Sequence, residues 1–167
     1  MDSKDRGIFL LRAGLGLGFA FAGFDKFFAA KAFTAKGFLL GATNGAWLNS
    51  DPKAIINPTH GFWVSVAGNP SLMTVLDTLV VFGEISIGVA LILGLATRFA
   101  GLMGTVLMLS LFVANWSFAN GPFNEQFMYG LMALTIAIVG AGAYALDAVV
   151  AKVPVMQKIP AVKYALG

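Results

Sequence analysis

A small set of ionisable and amide side chains interrupts long apolar stretches of this chain, and these side chains could do chemistry. Arg12 and Lys26 fall on one face of a helix, and Asp77 and Glu84 fall on one face of another. In an apolar environment such groups pair with one another, face a cavity or mark a functional path. The full set is Arg12, Asp25, Lys26, Asp77, Glu84, Asn115 and Asp147.

Glu84 is the candidate catalytic residue. The helical rise places it roughly 10 Å deeper in a bilayer than Asp77, which predicts a mid-bilayer carboxyl without a full ionic partner. Such a carboxyl usually faces a cavity and could take up or donate a proton. The alternative is a protonated Glu84 that is hydrogen-bonded to a neighbouring helix.

Candidate substrate-binding residues lie near the expected outer ends of the helices. Lys26 and Asp77 are expected at one level, close to Asp25, Asn115 and Asn124. A pocket among them could bind a polar head group or a small anion next to Lys26. Each residue alone is more typical of a membrane interface, but the convergence of four helices favours a pocket.

A second cluster is expected at the opposite, inner ends of the helices. It contains Arg12 and Asp147, with Arg98 nearby. We interpret it as a structural ion cluster that locks the bundle and satisfies helix ends. Gly14 and Gly18 have the small-xxx-small spacing that lets membrane helices approach closely, so close helix packing is their predicted role.

The elements that must position these residues are membrane helices. Charged residues make up 11% of the 167 residues, against about 25% in soluble domains. No charge occurs from 99 to 124 or from 126 to 146, and roughly 20 apolar residues suffice to cross a bilayer. We therefore predict an all-α, integral membrane, antiparallel four-helix bundle in a single domain, 1–167. The spans are about 7–28, 72–96, 99–118 and 124–149, and the long, partly structured connection 29–71 forms an outer cap.

Basic residues predict the orientation of the bundle. They precede the first span, lie between the second and third, and follow the fourth, which places both termini in the cytoplasm and the chain in the cell membrane. The residues are Lys4, Arg6, Arg98, Lys152, Lys158 and Lys163.

The composition also narrows the cofactors and partners. The chain has no cysteine and one histidine, so no metal, haem or iron–sulfur cluster is expected. The net charge of +3 is small, and we interpret it as a topology signal rather than as nucleic-acid binding. The expected partners are the lipid bilayer and either other membrane subunits or further copies of this chain.

Three motifs follow one another in a fixed order along the chain, after an arginine-led, glycine-rich start of the first span. The motifs are Gly23-Phe24-Asp25-Lys26, then Gly83-Glu84 with Gly88 and Leu93-Gly94-Leu95-Ala96-Thr97-Arg98, then Gly140-Ala141-Gly142-Ala143-Tyr144-Ala145-Leu146-Asp147. In this order they resemble the DoxX family of small four-span membrane proteins, which includes the membrane subunit of thiosulfate:quinone oxidoreductase. The family-like polar positions are Arg12, Lys26, Glu84, Arg98 and Asp147.

The resemblance implies a membrane subunit of a respiratory-type, quinone-linked oxidoreductase, with thiosulfate as a candidate donor and quinone as a candidate cofactor. Lys26 would attract the anionic donor, and Glu84 would carry protons. One alternative is a non-catalytic accessory or assembly subunit of a larger membrane complex. A less favoured alternative is a small-molecule or ion carrier, because no pair of broken helices is evident in the sequence.

Overall fold

The computed structural model describes residues 2–43, 57–115, 123–154 and 164–166, and the described part is helical without strands. Lys158 and Lys163, which contribute to the predicted orientation, lie outside these ranges. The helices are α1 (Ser3–Phe27), α2 (Lys36–Thr43), α3 (His60–Ala67), α4 (Pro70–Leu93), α5 (Thr97–Asn115), α6 (Glu125–Val139) and α7 (Asp147–Val150).

Three of these helices are long and apolar enough to cross a membrane, namely α1, α4 and α5, and α6 is a shorter apolar helix of 15 residues. Their outer surfaces are apolar: Phe21 is 77% exposed, and Leu10 and Ile138 are each 68% exposed. Large apolar side chains face outward in this way when the surroundings are lipid rather than water. The predicted all-α membrane bundle is confirmed.

Local sequence signals set the ends of α4. The side chain of Asn69 accepts hydrogen bonds from the backbone N–H groups of Ser71 and Leu72, and Pro70 occupies the first turn, where its missing N–H costs nothing. Gly94 ends the helix in the left-handed conformation, with φ of 66°. The short turn that follows leads directly into α5, so α4 and α5 form a tight hairpin.

The bundle consists of two closely packed helix pairs, α1 with α4 and α5 with α6. A side chain at Gly16 would meet the backbone of α4 at Gly88 and Ile92, and one at Gly88 would meet the backbone of Ala20. Gly101 lies equally close to the backbone of α6 at Ala133 and Ala137. These glycines bring the helix axes together and fix the register within each pair.

The predicted packing role of Gly14 and Gly18 is wrong within this chain. A side chain added at either position would meet no described atom within 4 Å. Both glycines lie on the side of α1 that faces away from α4, where they are exposed. The close approach to α4 uses Gly16 and Gly23 instead, because these two lie seven residues apart on the opposite face.

Helix α6 ends at Val139, whereas the sequence predicted a span to about residue 149. The cause is a non-helical backbone: Gly140 has φ of 94°, Gly142 has φ of 64° and Tyr144 has φ of 54°. These angles lie outside the right-handed helical region. The chain therefore crosses the end of the bundle as an irregular segment, 140–146, before α7 begins.

Helices α2 and α3 belong to the connection between α1 and α4 and pack over one end of the bundle. Leu39 and Ala67 join Met73 and Ala114 in a small apolar core that is separate from the main one. Asn57, which is 1% exposed, donates hydrogen bonds to the carbonyls of Val113 (2.9 Å) and Ala114 (2.8 Å) at the end of α5. Apolar packing and one buried amide thus hold the cap on the bundle.

Candidate functional site

An ion pair joins α1 to α4 inside the bundle. The ammonium of Lys26 donates to both carboxylate oxygens of Glu84, at 2.7 and 3.0 Å, and also to the carbonyl of Ala22 at 3.3 Å. Glu84 is 3% exposed, and the side chain of Lys26 is 24% exposed. The ammonium also lies 5.5 Å from the centre of the Phe33 ring. Charge, hydrogen bonds and an aromatic face together hold this lysine in place.

The expectation that Glu84 lacks a full ionic partner is therefore wrong, and so is the expected level of Lys26 beside Asp77. Gly23 lies directly against Glu84 and Ile85, which places Lys26 less than one helical turn beyond Glu84. A helical side chain leans toward the N-terminus of its helix, so Lys26 reaches back over Ala22 to meet the carboxylate. The close packing of two helices determined this pairing.

Glu84 also lines a cavity of about 410 Å³ between α1, α5 and α6. The α1 wall combines Gly14, Gly18 and Ala22 with Leu15 and Phe19, and the other walls consist of methionine, leucine and tyrosine side chains with a few polar groups. The carboxyl of Glu84 lies in a largely apolar space next to room for a ligand. The lining residues are Gly14, Leu15, Gly18, Phe19, Ala22, Glu84, Met108, Leu111, Glu125, Gln126, Tyr129 and Met132.

Three polar residues of this cavity were missed in the sequence: Glu125, Gln126 and Tyr129. The amide of Gln126 donates to the carboxylate of Glu125 at 3.0 Å and accepts from the side-chain amide of Asn115 at 3.4 Å. Gln126 and Tyr129 are three residues apart on α6, which is the signal that could have placed them on one helix face. Together they make one end of the cavity polar.

The predicted outer cluster does not converge on one pocket among the described residues. Asp77 accepts a hydrogen bond from the backbone N–H of Ala35 at 2.7 Å, just before α2, and so attaches the cap to α4. Asp25 is exposed, and Asn124 caps the start of α6 by accepting from Phe127. Lys26, through Glu84, and Asn115, through Gln126, contact the cavity's lining.

The opposite end of the bundle contains a buried arginine. Arg12 is 0% exposed and donates to the carbonyls of Ala141 (2.7 Å), Tyr144 (3.0 Å) and Ala143 (3.4 Å). These carbonyls belong to the irregular segment after α6, where a helix would have used them internally. The guanidinium therefore supplies the hydrogen-bond donors that this segment needs to exist inside the bundle.

Asp147 lies at the same end, as predicted, and is 1% exposed. Its carboxylate accepts from the backbone N–H groups of Ala96 (2.6 Å) and Thr97 (2.9 Å), which caps the start of α5. Arg12 and Asp147 both bind backbone groups at this end of the bundle, Arg12 as a donor to carbonyls and Asp147 as an acceptor from N–H groups. Arg98, at the start of α5, is exposed and lines a groove with Phe99 and Tyr164.

Comparison with known proteins identifies the family. The family model described as TQO small subunit DoxD matches residues 9–164 of the chain. No curated protein and no solved structure gives a significant match. The match covers most of α1, all of α4, α5 and α6, the buried residues Arg12, Glu84 and Asp147, and the cavity's lining, and it confirms the resemblance to DoxX-like proteins. The chain belongs to the DoxD family of membrane proteins, whose name is that of the small subunit of TQO, thiosulfate:quinone oxidoreductase.

Proposed function

We propose that this chain is the quinone-handling membrane subunit of an oxidoreductase of the thiosulfate:quinone type. The observation that carries the proposal is a buried carboxyl, Glu84, in the wall of an otherwise mainly apolar cavity within a membrane bundle. The family match supports the reaction class, because its description names a subunit of such an enzyme.

The cavity suits the polar head of a lipid quinone. Its volume of about 410 Å³ falls within the range of about 300–1,000 Å³ that is common for small-molecule sites. Met108, Met132 and Phe19 provide adaptable apolar and aromatic contacts. Glu84, Tyr129 and Gln126 provide the few polar groups that orient a ligand.

A quinone takes two electrons and two protons when it becomes a quinol. In our proposal the thiosulfate-type donor, as it is oxidised, supplies both electrons. The carboxyl of Glu84 gives one proton to the ligand and regains it from water, and water supplies the second proton. Lys26 stabilises the carboxylate between these events, because its ammonium donates to both oxygens. The ammonium of Lys26 thus compensates the negative charge of Glu84 in an apolar site.

The anionic donor is better assigned to a partner subunit than to Lys26. Lys26 is already paired with Glu84, and among the described residues the cavity's lining contains two carboxyl groups and no lysine or arginine. Such a lining repels a small anion such as thiosulfate rather than attracting it. This assignment changes the expected role of Lys26 from binding the donor to positioning Glu84.

The variant Glu84→Gln tests the proton role. Quinone reduction by the complete enzyme should fall at least about a hundredfold, the lower end of what a general acid or base contributes. Asp25→Asn is the matched control, since it removes an exposed carboxylate one residue from Lys26. Retained activity in a folded Glu84→Gln protein contradicts the proton role.

A non-catalytic accessory subunit is the second candidate, and the family's description as a small subunit favours it. Gentle purification from native membranes, followed by mass spectrometry of bound lipids and proteins, separates the two candidates. Bound quinone supports the quinone site in this chain. A fixed set of larger subunits that reduces quinone equally well after removal of this chain supports the accessory role.

We also propose that both termini face the cytoplasm. One end of the bundle brings together the start of α1, the turn between α4 and α5, and the segment after α6. Gly142 lies near Ile8, and the backbone N–H of Asp147 donates to the carbonyl of Gly94. The basic residues Lys4, Arg6, Arg98 and Lys152 belong to this end. A C-terminal reporter that is active only outside the cytoplasm should remain inactive, and activity overturns this orientation.

A further inference from the structure

We infer that Gly14 and Gly18 form the channel for the apolar tail of the ligand, so that these two glycines decide which tailed quinones the cavity accepts. The inference rests on the proposed function and concerns which residues of the same site select the ligand by its tail.

The first observation is that these glycines border empty space. A side chain at Gly14 or Gly18 would meet no described atom within 4 Å, and both residues line the cavity. By contrast, a side chain at Gly16 or Gly23 would come within 3.0 Å of α4. Helix packing therefore explains Gly16 and Gly23, while the absence of side chains at Gly14 and Gly18 leaves room in the cavity.

The second observation is that the cavity has a polar end and an apolar end. Glu84 lies level with Gly23, next to Ala22, and Glu125 and Gln126 begin α6. Gly14 is about 12 Å further along α1 from Ala22, because each residue rises 1.5 Å. Leu15 and Met132 lie at that far end. A ligand with a polar head at Glu84 therefore directs its apolar part along Gly18 and then Gly14.

The third observation is that this wall opens to the outside of the bundle. Gly14, Gly18 and Tyr129 are exposed although they line the cavity, so the cavity is open between α1 and α6. In a membrane this side faces lipid, so a long apolar tail can extend from the cavity into the bilayer. A ligand without an apolar tail would not bind more tightly because of this opening.

Binding of two quinones to purified protein tests the inference: a decyl-substituted benzoquinone and the same ring without the tail. Gly14→Leu should weaken binding of the decyl compound by about tenfold and change binding of the tailless ring by less than about twofold. Gly18→Leu lies closer to Glu84 and should weaken both. Leucine is a better helix former than glycine, so both variants are expected to fold, which a melting temperature checks.

Gly7→Leu is the matched control. Gly7 is also exposed on α1 with no described atom within 4 Å of an added side chain, but it does not line the cavity. Unchanged binding of the decyl compound to Gly14→Leu overturns the tail channel and leaves the proposed function intact. Failure of the unmodified protein to bind either quinone overturns both.

Discussion

The two ends of this bundle use a basic residue of α1 in opposite ways. Arg12 is 0% exposed, and its hydrogen bonds go to backbone carbonyls of the segment that follows α6. Lys26 is partly exposed, and its ammonium pairs with the carboxylate of Glu84 beside a cavity. Arg12 satisfies backbone carbonyls of a non-helical segment, and Lys26 balances the charge of a carboxylate that can take up a proton.

The two basic residues differ in whether their partners can take up a proton. Backbone carbonyls do not titrate, so the hydrogen bonds of Arg12 hold at any ordinary pH and serve stability. A carboxylate can gain a proton, and the pair between Lys26 and Glu84 then loses its charge–charge attraction. The change in charge at Glu84 takes place beside a cavity that could hold a ligand, whereas Arg12 is not among the residues that line this cavity.

The largest expected effect comes from Arg12→Met. Removing the guanidinium leaves one buried and two partly buried hydrogen bonds to carbonyls unmade, which should lower the free energy of unfolding by about 3 kcal/mol. The melting temperature and the yield of detergent-purified protein measure this loss. Arg98→Met is the control, because Arg98 is exposed and should tolerate the change. Equal losses in both variants would contradict a special structural role of Arg12.

An intermediate effect is expected from a double-mutant cycle with Lys26→Met and Glu84→Gln. Each single variant leaves the other partner without its bond, and the double variant removes both groups, so the losses should not add. We expect a coupling of about 1–2 kcal/mol in the free energy of unfolding. The corresponding cycle of Lys26 with Asp25→Asn should give a coupling near zero. Additive losses for Lys26 and Glu84 would mean that the ion pair contributes nothing to stability.

The smallest expected effect concerns the cap, at the same end as Lys26. Asn57→Ala removes two donated bonds to the end of α5 and should destabilise the attachment of α3 by about 1 kcal/mol. Hydrogen exchange of the α3 amides should rise while that of α1 stays unchanged. Ser65→Ala, on the exposed side of α3, is the control. Unchanged exchange in Asn57→Ala would show that apolar packing alone holds the cap.

The sequence predicted the helical membrane class, the level of Arg12 near Asp147, and Glu84 as the carboxyl of interest. It did not predict the partner of Glu84, because pairing depends on how far one helix slides along another. That register is set by Gly16, Gly23 and Gly88, and a sequence alone does not show which of many glycines make a contact. The same ambiguity led to the wrong role for Gly14 and Gly18.

Composition and charge spacing by themselves determined that this chain spans a membrane and that few polar groups could act inside it. Those properties depend on the cost of transferring residues into lipid, and that cost is largely local. Only the tertiary structure decided which charges meet, where α6 ends and which wall borders empty space. These features depend on contacts between residues that are distant in the chain, such as Lys26 with Glu84 and Arg12 with Ala141.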